Sequence, residues 1–245
     1  MEPTKVLVTM VGLPARGKSY TATKIQSYFR WLGINSQIFN VGVYRRQVLS
    51  PSIDQSAKFF EASNLPARKL REQLAVEVLD QLFDWLDSGG QIAIFDATNT
   101  TNARRREIIR KCHERSPGTQ MIFIENICDD AYVLAENFKQ KVLISPDYQS
   151  VSVEGASSDL TRRIINYEKV YETITDENLT YIKIINVKSR VICNRIIGTI
   201  PKMITDYVMK LHVLNRSIWF TRPGISDSKS TTFTDHVSIN HTFLP

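Results

Sequence analysis

Four residues at fixed spacing, Gly12, Gly17, Lys18 and Ser19, satisfy the pattern G-x-x-x-x-G-K-[ST] directly behind the apolar run VLVTMV. Glycines at these places let the backbone curl until successive N–H groups face an anion, and the positive end of a following helix adds to the pull. The lysine is then placed to reach the outer phosphates of a nucleotide, and the serine hydroxyl to bind Mg²⁺. Leu13, Pro14, Ala15 and Arg16 complete the loop between them. A mere tight turn accounts for the glycines but leaves Lys18 and Ser19 idle, so this loop is predicted to hold a nucleotide.

A second group surrounds IFDATNTT, where Asp96 ends another apolar run. In parallel sheets ligands bind at the carboxyl edge. A carboxylate there would orient the magnesium shell or take a proton from an attacking hydroxyl. Aspartate also serves in turns and caps, but beside a phosphate loop the chemical reading is the stronger one. Thr98 follows two residues later and points the same way. Arg45, Arg46, Arg71, Arg104 and Arg163, with Tyr167 four residues beyond the last, are candidates for a second anion site. Guanidinium groups grip phosphate bidentately, so their convergence would suit a phosphorylated acceptor; singly, each reads as a solvated surface charge.

These residues need a scaffold, and the patterning supplies one. Strand-like runs at KVLVTMV, SQIFNV, QIAIFD, TQMIFIENI and YIKIINV alternate with helical stretches, which predicts a parallel α/β sheet. Behind the loop, GKSYTATKIQSYFRWLG reads as a helix closed by Gly33, with Ile25, Phe29 and Leu32 on one face. Leu70, Leu74, Val78, Leu82 and Leu86 recur every four residues from Pro66 to Ser88, predicting a long amphipathic helix. Thr100 or Thr101 is placed to cap NARRREIIRKCHE, and DDAYVLAENFKQKV is helical. SPDYQSVSVEGASS reads as a polar loop before a helix over DLTRRIINYEKVYETI. The stretch VICNRIIGTIPKMITDYVMKLHV reads as one amphipathic helix bent at Pro201, and SIWFT as a late strand. After Gly224 the chain turns Ser/Thr-rich, which predicts a flexible tail.

Bulk properties narrow the classes. The 245 residues are 42% hydrophobic and 23% charged, suited to a soluble globular protein. No apolar stretch approaches the roughly 18 residues of a membrane span, and MEPTKVLV lacks a signal-peptide core, so no membrane association is expected. Cys112, Cys128 and Cys193 are odd in number without C-x-x-C spacing, which favours reduced thiols and a cytoplasmic location over a disulfide frame or zinc site. The net charge of +6 fits either an anionic small substrate or nucleic acid. Basic residues scattered in ones and twos, without interleaved aromatics, argue against nucleic acid.

Together VGLPARGKS, FNVGVYRRQ, IAIFDATNTT, FIENICDD, ISPDY, NYEKVYE and NRSIWFTRPG resemble, in order and approximate spacing, the kinase half of the 6-phosphofructo-2-kinase/fructose-2,6-bisphosphatase family. The resemblance spans Thr4 to Gly224. It implies a P-loop NTPase-type three-layer sandwich with a mainly parallel central sheet, one kinase domain over residues 1–224, and a tail over 225–245. It also implies transfer of phosphate from ATP, with Mg²⁺, to the 2-hydroxyl of fructose 6-phosphate. By matched motif, Gly12 to Ser19 would hold the ATP phosphates, Asp96 would be the catalytic carboxylate and Thr98 a sugar contact. Arg45 or Arg46, Arg71, Arg104, Arg163 and Tyr167 would hold fructose 6-phosphate, and Asn137 and Lys141 would lie in the nucleotide-contacting segment. Cys128 falls on a family cysteine associated with the active site, though a thiol is a weak group for phosphoryl transfer and the position also reads as a small buried strand-end residue.

Two departures stand out. The family has a substrate-contacting lysine where this chain has Val142, with Lys141 one residue earlier. One helical position is about 100° of rotation, so Lys141 is expected to substitute only if the helix end frays or shifts. FTRPG stands where the family's bisphosphatase half begins with Arg-His-Gly, and Pro223 has no nucleophilic nitrogen. A monofunctional kinase without bisphosphatase activity is the resulting expectation. Beside it stand a nucleotide- and sugar-phosphate-binding pseudokinase, supported by Val142, and a P-loop kinase for another acceptor such as gluconate, a nucleoside or a polynucleotide end. Oligomeric state is left open, a homodimer included.

Overall fold

The computed structural model describes residues 5–50, 53–187 and 189–211. Six strands form one sheet in the order β2-β3-β1-β4-β5-β6. They are β1 (Val6–Val11), β2 (Ser36–Asn40), β3 (Ile92–Asp96), β4 (Gln120–Ile127), β5 (Tyr181–Ile185) and β6 (Arg190–Asn194). The first five run parallel and β6 joins antiparallel at the edge. With β1 central, the chain winds first to one side through β2 and β3 and then to the other through β4. The carboxyl end of β1 is therefore the place where the winding reverses, and a crevice opens there in open α/β sheets.

Alternation along β1 builds the three layers. Val6, Val8 and Met10 pack against Ile25 and Phe29 of α1 (Lys18–Trp31) and against Ile204 and Val208 of α7 (Thr199–Lys210). Leu7 faces the other way, onto Val78, Leu79, Leu82, Phe83 and Leu86 of α3 (Leu65–Asp87) and Ile108 and Cys112 of α4 (Asn102–Arg115). This is the expected sandwich with a mainly parallel sheet. Thr101 caps α4 by accepting from Arg104 N, one of the two caps anticipated. Among the described residues no helix is long and apolar enough to cross a membrane.

Four readings of the sequence need correction. Leu32, placed on the buried face of α1, is 38% exposed because it lies beyond the last full turn. An unanticipated helix, α2 (Val41–Val48), follows β2 with no loop, since Asn40 ends the strand and caps the helix at once by accepting from Val43 N at 2.9 Å. The supposed polar loop after Ser145 holds only a 3-10 turn (Pro146–Tyr148). It then enters α6 (Val153–Glu168), capped by Ser152, so the helix starts and ends earlier than the sequence reading has it. Lastly, the supposed bent helix is β6 followed by α7. β-branched Val191 and Ile192 favour the strand, Gly198 at φ +89° separates the two elements, and Pro201 sits in the first helical turn, where no amide hydrogen bond is lost and no bend arises. SIWFT, Pro223 and the Ser/Thr-rich tail lie outside the described residues.

Above the carboxyl edge, α2, α5 (Ala131–Ile144), α6 and the start of α3 form a second set of walls. Leu49, Phe59, Phe60, Ala67 and Leu74 pack together with Tyr44, Leu70 and Tyr167, and Val142, Tyr148, Ala156 and Leu160 pack with Phe138 and Ile164. These small clusters hold the side chains that the sheet edge cannot reach.

Candidate active site

A single cleft of about 1540 Å³ lies along the carboxyl edge of the sheet, bounded by the Gly12–Ser19 loop, Asp96, α2, α5 and α6. Pockets for one small ligand measure roughly 300–1,000 Å³, so this one has room for two.

At one end is the loop. Gly12 has φ +137°, and a Cβ there would come within 2.5 Å of the Asn126 carbonyl oxygen on β4. No other residue fits between β1 and β4 at that turn. Its N–H donates to Thr98 O at 2.9 Å, tying the loop to the chain beyond β3. Gly17, at φ +84°, sits at the N-cap of α1, where a left-handed backbone suits glycine. Lys18 is buried and folds back across the loop, its Nζ donating to Leu13 O at 2.6 Å.

Burial pulls the Lys18 ammonium down to about 8 from its ordinary 10.5; Asp96 opposes the shift, while Lys141 and Arg16 add to it. The unfolded chain keeps that proton up to pH 10.5 and the folded one loses it above 8, so the unfolded state binds more protons between the two. Folding stability contributed through Lys18 therefore rises with pH from 8 to 10.5, and the cost of the buried ammonium is carried in full below 8. Lys18→Met should be more stable than wild type at pH 7, with the two urea midpoints converging as pH approaches 10.5. Parallel midpoints across that window would contradict the burial of a charged Lys18.

Asp96 closes β3 and is buried at the cleft floor, directly across from Asn40 in the β2–β3 register. The Asn40 Nδ2 donates to Asp96 Oδ2. Thr98 lines the cleft beside it.

The far end is cationic. Arg45 from α2 meets both oxygens of Asp147, at 2.7 and 2.8 Å; Arg163 from α6 reaches Oδ2 at 2.7 Å and Arg46 reaches Oδ1 at 3.3 Å. Burial would raise Asp147, but Arg45 and then Arg163 hold it well below the usual carboxylate range. The ring of Phe60 carries the guanidiniums of Arg163, Arg45 and Arg71 at 4.5, 5.1 and 5.7 Å, and Tyr167 packs on the same ring. Arg71 donates to Phe59 O. Arg104 reaches into the cleft with no hydrogen bond or ion pair from its guanidinium among the described residues, and desolvation there lowers its pKa. Arg163 also pairs through Nε with Asp159 Oδ2 at 2.6 Å. Arginine does not give up its proton in proteins, and among the described residues Arg104, with no ion pair, and Arg71, bonded only to a carbonyl, leave cationic donors in the cleft for an anionic ligand.

A family model described as 6-phosphofructo-2-kinase matches residues 1–215. The chain belongs to the 6-phosphofructo-2-kinase family. Relatives agree with it. The chain is 41% identical over 225 residues to the 6-phosphofructo-2-kinase/fructose-2,6-bisphosphatase of Aquarana catesbeiana, covering 90% of this chain and 47% of that protein. It is 38% identical over 227 residues to 6-phosphofructo-2-kinase 1 of Saccharomyces cerevisiae, covering 91% and 27%. The chain thus spans about half the length of the first relative and less of the second. A crystal structure of a candidate kinase from Chloroflexus aurantiacus superposes with a TM-score of 0.50 at 12% identity, over 84% of this chain and 94% of that one, a likeness of fold alone.

Within that family frame, most residues picked from the sequence meet in the one cleft: Pro14 to Ser19, Asp96 and Thr98, all five arginines, Tyr167, Asn137 and Lys141. Gly12 and Leu13 act through the backbone behind it. Cys128 is buried outside the lining, and desolvation raises its thiol, the opposite of activation. Helix α5 runs unbroken to Ile144, Lys141 lines the cleft, and Val142 packs at 7% exposure into the cluster with Tyr148 and Leu160. Sequence reasoning assigned no role to Asn40 or Asp147, although both lie inside the quoted motifs FNVGVYRRQ and ISPDY.

Proposed function

We propose that this chain transfers the γ-phosphoryl group of ATP to the 2-hydroxyl of fructose 6-phosphate, forming fructose 2,6-bisphosphate and ADP. The observation that carries the reading is the sharing of one cleft by a phosphate-binding loop and a five-arginine anion site, with Asp96 at the loop end. Two phosphorylated substrates fit such a cleft; gluconate would leave the arginines without a phosphate to bind. Convergence into a cleft, rather than along a surface stripe, favours a small molecule over nucleic acid.

The loop N–H groups and the start of α1 take the ATP phosphates, with Lys18 moving from Leu13 O to their outer oxygens. Ser19 and Asp96 offer hard oxygen donors at the same cleft and fit Mg²⁺, which when bound neutralises charge on the β- and γ-oxygens. Arg45, Arg71, Arg104 and Arg163 fix the 6-phosphate, so the sugar's 2-hydroxyl is held in line with the γ-phosphorus. The hydroxyl oxygen forms the new P–O bond, the bond to the β,γ-bridging oxygen breaks, and Asp96 takes the hydroxyl proton. Lys141 lines the same cleft, where desolvation lowers its pKa while Asp147 and Asp96 both favour its charged form, which supports a cationic role between the two substrate ends. It supplies the cation that the family carries one position later. The pseudokinase reading rested on Val142 and loses that support. Absence of bisphosphatase activity rests on the sequence argument from Pro223 alone.

The test is purified chain with Mg-ATP and fructose 6-phosphate, assayed for an acid-labile bisphosphate. Product is expected, with a large loss of turnover in Lys141→Ala. ATP binding without any product would overturn the proposal.

A further inference from the structure

Asn40 sits where three structural tasks meet. It is the last residue of β2, the N-cap of α2, and the cross-strand neighbour of Asp96. Its amide has one accepting end and one donating end. The accepting end is committed: Oδ1 takes the Val43 N–H at 2.9 Å and so starts α2. That fixes which way round the amide lies, and Nδ2 must then point to the opposite side. On that side is Oδ2 of Asp96. Among the described residues this is the one hydrogen bond made to the Asp96 carboxylate. Gly42 keeps the arrangement open, since a Cβ there would come within 3.2 Å of Asn40 Oδ1.

A carboxylate held by one donor at one oxygen cannot turn freely, and its other oxygen is left for a hydroxyl proton. The charged groups that face Asp96 are Lys18 on α1 and Lys141 on α5. Neither makes a hydrogen bond to it. Moreover, the helix that Asn40 starts is the one bearing Arg45 and Arg46. One amide thus ties the carboxylate at the loop end to the arginines at the far end.

We propose that Asn40 is a positioning residue: its amide, oriented by the α2 cap, aims the Asp96 carboxylate and sets it in register with Arg45 and Arg46. The proposal rests on Asp96 being the proton acceptor, and the experiment separates the two claims. Asn40→Ser keeps a good helix cap, but its shorter side chain does not reach Asp96, whereas Asn40→Ala removes both contacts. If Asn40 only capped α2, the Ser variant would match wild type and only Ala would suffer.

The expected result is different. The Ser variant keeps the wild-type melting temperature and the KM for ATP, while kcat falls about 10²-fold, the scale of an ångström of misplacement. Wild-type kcat in the capped Ser variant would overturn the role. A crystal structure of Asn40→Ser gives a reading independent of turnover: the Asp96 carboxylate should rotate from its wild-type position while α2 stays in place. An unmoved carboxylate would overturn the proposal even in a chain that made no product, and failure of the wild type to make product would count against the proposed function alone.

Discussion

Asp147→Ala should lose about 3–5 kcal/mol of folding stability at pH 7, the scale of removing one partner from a buried ion pair. The reason is arithmetic of charge. One carboxylate, its side chain 11% exposed, is met by Arg45, Arg46 and Arg163, and the first and last of these are as buried as it is. Deleting it leaves the buried Arg45 guanidinium without its carboxylate, and Arg163 with Asp159 alone, across a desolvated gap with Phe60 beneath them. Since the arginines hold Asp147 far below its ordinary 3.8, its contribution is present above that value and is lost as pH falls from 3.8 towards the lower folded value. The gap between wild-type and variant urea midpoints should therefore be full at pH 7 and narrow under acid. Inorganic phosphate should restore more stability to the variant than to wild type, because it replaces the missing anion. KM for fructose 6-phosphate should rise as the arginines lose their alignment. A variant with the wild-type midpoint at pH 7 would show that Asp147 organises nothing.

That carboxylate also marks the limit of what the sequence discloses. The loop end of the site is legible because its parts are neighbours in the chain: Gly12 to Ser19 lie within one strand-to-helix turn, and the apolar run before them announces the strand. Asp96 is legible for the same reason, standing at the end of IAIFD. The arginine end is assembled by contacts between distant segments. Arg45 and Asp147 are 102 residues apart, and nothing in either neighbourhood reports the other. Helix α2 went unseen because Asn40 ends a strand and starts a helix without a loop residue between, leaving no punctuation to read. Lys141 and Val142 show the complementary failure. Counting by motif assigns the site to position 142, but the packing of α5 on Tyr148 and Leu160 fixes the rotation that turns 142 inward and 141 to the cleft. In residues 189–211 a helical spacing of apolar residues coincided with a β-branched strand, and only pairing with β5 decides between them.

Asp96→Asn should lower kcat by about 10²–10⁴-fold, the range expected when a positioned proton acceptor is removed, while the protein folds as before. Asparagine has the same shape, and its side-chain oxygen still accepts from Asn40, so the β2–β3 edge keeps its contact. What vanishes is the negative charge, and the loss has a signature beyond rate. In the wild type Asp96 is the main attraction holding up the Lys18 ammonium against desolvation, which leaves it at about 8. Without that charge Lys18 titrates lower still. ATP binding that depends on a charged Lys18 should then be near normal below pH 7 and should weaken at a lower pH than in wild type. Calorimetric titration with ATP across pH 6 to 9 reads this directly, and single-turnover assays read the chemical step. A residue that merely caps a turn would not give the rate loss. Turnover within tenfold of wild type would remove Asp96 from the chemistry and pass the search for the acceptor to another group in the cleft. A large rate loss with an unmoved ATP pH profile would keep the acceptor and deny its coupling to Lys18.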